Sequence, residues 1–74
     1  MSEYRLRLNN YLQANPAVGP LTRQESSEGP SSNATWTVVA FLKGVEYGRG
    51  VARTKAEATE IAAERVLTEL NVPH

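Results

Sequence analysis

Gly48 and Gly50 lie on one side of an extended stretch, and they constrain this chain more than any other pair of residues. Side chains of a strand alternate between faces, so positions i and i+2 point the same way. Glycine weakens a strand, and a pair on one face implies that something packs tightly there. The next segment supplies the partner. Thr54-Lys55-Ala56-Glu57 is a capping box, and it opens a helix expected over about 55–70 that Asn71-Val72-Pro73 closes. At ~100° per residue, Ala56, Ala58, Ala62, Ala63, Val66, Leu67 and Leu70 share a broad stripe whose N-terminal half is alanine. A helix lined with alanine can approach a sheet whose glycines face it. Hairpin and helix explain one another.

The remaining elements follow from periodicity. Over 35–43, Trp36, Val38, Ala40 and Leu42 fall on one face, and Thr37, Val39, Phe41 and Lys43 on the other. Gly44 turns the chain into a strand over about 45–53, and so short a connection forces an antiparallel hairpin. Residues 21–28 read as a weaker strand with few β-branched side chains, suited to an edge. Ahead of it, Tyr4, Leu8, Tyr11 and Leu12 recur at helical spacing over about 4–14, and Asn15-Pro16 ends the helix. Tyr11 and Trp36 both fall on buried stripes and read as core. The order is α-β-β-β-α: an α+β domain in which two amphipathic helices cover one face of a three-stranded antiparallel sheet and leave the other bare.

With 74 residues the chain has room for one domain, 1–74, with a thin core. It has no Cys, hence no disulfide, thiolate metal site or Cys nucleophile, and its one His, His74, is the last residue. No glycine-rich phosphate loop precedes a helix and no buried carboxylate pair is expected, so neither enzyme chemistry nor a cofactor is implied. No apolar run is long enough to span a membrane, and the first residues do not read as a secretory signal. The expected setting is intracellular, cytoplasm or nucleus. Eight Lys and Arg balance eight Asp and Glu. A domain relying on phosphate attraction alone would be more basic. Glu57, Glu60 and Glu64 read as a solvated acidic face.

The element order and several local motifs together resemble the double-stranded RNA-binding domain family, over about residues 8–70. Leu8-Asn9-Asn10-Tyr11-Leu12-Gln13 is similar to the family's Leu-Asn-x-Tyr-x-Gln, and Pro20 stands where its first strand often starts. Glu28-Gly29-Pro30 resembles the opening of its first strand-connecting loop, with Trp36 at the usual Phe. Tyr47-Gly48-x-Gly50 matches the end of its third strand. Thr54-Lys55-x-x-Ala58-x-x-x-Ala62-Ala63, with Leu67 and Leu70, follows its second helix. The resemblance implies a duplex-RNA partner read by shape, without sequence specificity, across two minor grooves and the intervening phosphates over ~16 base pairs. Asn9 and Gln13 would meet one groove. Gly29, Pro30, Ser31 and Ser32 would enter the next, and Arg53, Lys55 and Thr59 would lie at the phosphates, beside the second helix's N-terminus.

Two departures from the family pattern weaken the expected binding. Ser32 replaces the loop's usual His, and of three helix lysines, at positions 55, 56 and 59, only Lys55 remains. Losing two phosphate contacts lowers affinity by about a decade or more. The bare sheet face carries Thr37, Val39, Phe41, Arg49 and Val51, with Tyr47 close by, and an apolar patch there would suit a protein partner or a homodimer. The resemblance implies a weak double-stranded RNA-binding module, and the open sheet face adds the expectation that it dimerises there. The alternative is a protein-interaction module of the same fold that has lost RNA.

Overall fold

A computed structural model describes residues 3–74, arranged as α1 (Tyr4–Ala14), β1 (Leu21–Glu28), β2 (Thr35–Leu42), β3 (Val45–Ala52) and α2 (Lys55–Glu69). Short 3-10 turns at Pro16–Val18 and Ser31–Asn33 sit in the connections. The three strands form one antiparallel sheet in the order β1-β2-β3. This is the α-β-β-β-α architecture that the sequence implies, with both helices on one side.

The glycine notch faces α2. A methyl group at Gly48 would lie 2.6 Å from the Ala62 carbonyl oxygen, and one at Gly50 would run into the Ala58 carbonyl. Real Cβ atoms do not approach backbone so closely, so only glycine admits α2 at this depth. Val38, Ala58 and Ala62 are buried beside the notch, with Trp36 and Ala52 packed against them. A second cluster holds Leu8, Ala40, Leu42, Ala63, Val66 and Leu67. Leu8 is the one buried residue of α1, which lies mainly along α2 and leaves β1 largely uncovered. Weak hydrophobicity in β1 and its edge position go together.

The hairpin departs from simple alternation at two places. β2 ends at Leu42, one residue short of the expected Lys43, because Lys43 joins Gly44 in the turn and both adopt left-handed backbone (φ 52° and 80°). Such a two-residue turn matches the twist of the flanking strands. Further along, Ala40 pairs with Gly48 but Phe41 pairs with Glu46, so Tyr47 is an extra residue in a β-bulge. The bulge turns Tyr47 toward the helices, where it packs on the Leu8–Leu67 cluster. Tyr47 therefore does not belong to the open face. β3 stops at Ala52 rather than Arg53, and Leu70 caps α2 rather than continuing it.

Candidate nucleic-acid interface

The loop between β1 and β2 is built on Gly29, whose φ of 93° is accessible to few other residues, and on a 3-10 turn closed by the Asn33 amide donating to the Pro30 carbonyl at 2.8 Å. Gly29, Pro30, Ser31 and Ser32 are all exposed. The loop leaves the sheet from the Glu28–Thr35 pair, and β3 ends at Ala52 opposite Trp36. Loop and α2 N-terminus therefore share one end of the sheet. Arg53 and Lys55 are exposed there, and the Lys55 ammonium lies 5.7 Å from the centre of the Trp36 ring.

Thr54 caps α2 as the spacing demands, and Glu57 reaches back to the Thr54 hydroxyl. The Glu57 amide donates to the Thr54 hydroxyl oxygen at 3.1 Å, and that hydroxyl donates to the Glu57 carboxylate at 3.1 Å. The cap leaves the Lys55 and Ala56 amides, at the first two helical positions, directed outward at the positive end of the helix dipole. Glu57 offsets part of that field.

On α1, Asn9 and Gln13 are exposed, as expected. Leu6 stands three residues before Asn9 and seven before Gln13, so helical geometry puts all three in one outward sector, with Leu6 55% exposed. Leu6 is out of phase with the apolar stripe of α1 and was not among the residues expected at the site. Its spacing from Asn9 and Gln13 was the available signal.

Thr59 is not a surface residue. It is 5% exposed, and its hydroxyl donates to the Lys55 carbonyl at 2.7 Å. The family lysine position here faces inward. Glu60 is not part of a solvated acidic face either: the Tyr4 and Arg5 amides of α1 donate to its two carboxylate oxygens.

The open sheet face is less apolar than expected. Val39, between Gln24 and Arg49 on the neighbouring strands, is only 8% exposed. Phe41 is half-buried, and Val51 alone among the apolar residues expected there stays largely exposed. The bulge at Tyr47 also brings Glu46 onto the face of Arg49, and the pair is bonded through two nitrogens at 3.1 and 3.3 Å. Hydrogen bonding to Glu46 and then its charge raise the Arg49 pKa above its ordinary value.

A model of the double-stranded RNA binding motif matches residues 4–70. The chain belongs to that family. Ribonuclease 3 of Campylobacter fetus subsp. fetus (strain 82-40) is 31% identical over 70 residues, covering 95% of this chain and 31% of the relative. Ribonuclease 3 of Geobacter metallireducens is 28% identical over 65 residues, covering 88% of this chain and 26% of the relative. This double-stranded RNA binding motif thus spans about a third or less of the curated relatives it matches. Among the described residues of the motif, no helix is long and apolar enough to cross a membrane, and no group of His, Asp and Glu is placed to hold a metal.

Proposed function

We propose that this chain binds duplex RNA by shape and weakly. The two outer arms of the site are the Asn9–Gln13 side of α1 and the Gly29–Ser32 loop. Arg53 and Lys55, beside the α2 N-terminus, meet the phosphates between them. The observation that carries the reading is the shared end of the sheet: β1–β2 pairing and the Trp36–Ala52 pair set the exposed serine loop beside the exposed cations. Hydroxyls and amides suit 2′-hydroxyl and phosphate groups, which are what A-form RNA offers to a protein surface.

Weakness follows from the same residues. One lysine serves where the family uses three, Ser32 reaches less far than His, and Lys55 is already paired with Glu25. The test is titration of a labelled duplex of ~20 base pairs at ~50 and ~150 mM salt, with wild type and Lys55→Ala. Salt-sensitive binding that Lys55→Ala removes supports the proposal. Absence of binding at tens of micromolar protein overturns it and leaves the protein-interaction reading, which the zero net charge favours.

Dimerisation through the open sheet face has a smaller basis, Val51 and part of Phe41, with the Glu46–Arg49 pair on the same face. Any self-association there is therefore weak. Light scattering at high protein concentration, comparing wild type with Val51→Glu, tests this: a stable wild-type dimer that Val51→Glu dissolves would restore the stronger expectation.

A further inference from the structure

Among the described residues, α1 begins without a cap of its own. Glu3, at the N-cap position, makes no side-chain hydrogen bond to the helix, and no acidic residue lies in the first turn. The first amides of a helix need partners, because no intrahelical carbonyl reaches them. Here the partner comes from α2. Glu60 takes the Tyr4 amide on one carboxylate oxygen at 2.9 Å and the Arg5 amide on the other at 3.1 Å. The Arg5 guanidinium adds a contact at 3.4 Å, and the Glu60 side chain is 23% exposed. One carboxylate thus spans both helices of the proposed site.

We infer that Glu60 is a positioning residue for duplex RNA, holding α1 at a fixed place along α2. This rests on the RNA-binding reading above. The duplex is a stiff ligand met at two grooves, so contacts by α1 and by the loop add only if their separation is set beforehand. Leu8, with Tyr4 and Leu12 packed on the same cluster, supplies the apolar part of the joint between the helices. Glu60 supplies the directional part, since two hydrogen bonds fix both the height and the rotation of the first turn of α1. Asn9 and Gln13 inherit that placement.

Charge alone predicts the opposite sign. Removing a carboxylate near a polyanion site should tighten binding. If Glu60 positions α1, Glu60→Ala should instead weaken binding to a duplex of ~20 base pairs by about five- to ten-fold, while leaving a duplex of ~10 base pairs, too short for both grooves, within about two-fold. Hydrogen exchange of the Tyr4 and Arg5 amides should quicken in the same variant.

A second variant separates positioning from mere helix capping. Glu3→Ser added to Glu60→Ala gives α1 a local cap with no link to α2. The account expects slowed exchange at Arg5 but no recovery of affinity for the longer duplex. If Glu60→Ala unfolds the domain, Glu60→Gln, which keeps one acceptor oxygen, carries the same comparison.

Equal or tighter binding of the longer duplex by Glu60→Ala overturns the inference. So does full recovery of affinity in the Glu3→Ser, Glu60→Ala protein. A wild type that ignores both duplexes overturns the RNA reading itself. That failure is distinct, because the two amides would still respond to Glu60→Ala with no affinity to lose.

Discussion

The Lys55 ammonium nitrogen stands 3.6 Å from a carboxylate oxygen of Glu25. The one helix lysine retained from the family pattern is thus held by a residue of β1, above Trp36. Glu25 also meets Arg23 at 3.7 Å, so two cations share one carboxylate. On the proposed reading, an RNA phosphate competes with Glu25 for Lys55.

Glu25→Gln should therefore raise affinity for duplex RNA. The Lys55 side chain is about half exposed, and pairs of this kind are worth ~0–1 kcal/mol, which sets the gain at about two- to five-fold. Lys55→Ala should lose binding and remove the benefit of Glu25→Gln. Anisotropy titrations of the two single variants and the double variant measure the coupling. Additive effects would show that Glu25 does not restrain Lys55.

The two missing family lysines are not equivalent. Ala56 is exposed in the first turn of α2, so Ala56→Lys should add about one phosphate contact and steepen the salt dependence by ~0.9 in log–log slope. Thr59 is buried. Thr59→Lys should cost about 1–3 kcal/mol of stability, because a long cationic chain replaces a small buried side chain. Urea melts beside the titrations distinguish the two outcomes.

The contact between β3 and α2 tolerates no added atoms. Gly50→Ala would push a methyl into the Ala58 carbonyl and to within 2.7 Å of the Ala62 nitrogen, both backbone. We expect a loss of at least about 2–3 kcal/mol, enough to unfold a marginal domain. Lys43→Asn should do the reverse, by about 0.5–1 kcal/mol, since Lys43 holds a left-handed φ that Asn adopts more readily. Thermal melts of both variants check the signs.

The packing of helix on hairpin was readable because periodicity reports it directly. Gly48, Gly50 and the alanines of α2 each occupy the phase that faces the other. A role at RNA for Arg53, Lys55, Ser31 and Ser32 came only from the family resemblance, but their exposure was readable too, since they stand at element ends off the buried stripes. The open face was not. A bulge is a one-residue slip, and nothing in Val45-Glu46-Tyr47 announces that Tyr47 will turn inward and Glu46 join Arg49. Val39 lies on the face that alternation gives it, yet its exposure depends on the neighbours that register sets beside it. Glu60 could not be read at all as a cap for α1, since the amide it accepts from Tyr4 is 56 positions away.

The central claim, recognition of A-form duplex by shape, is tested most directly by one competition. Unlabelled RNA and DNA duplexes of the same sequence, ~20 base pairs long, are titrated against a labelled RNA duplex bound to this chain at ~50 mM salt. The account predicts that RNA displaces the probe at least about ten-fold better than DNA, because 2′-hydroxyls and A-form groove spacing carry the contacts. Equal displacement by the two duplexes would contradict it, leaving charge attraction as the source of binding.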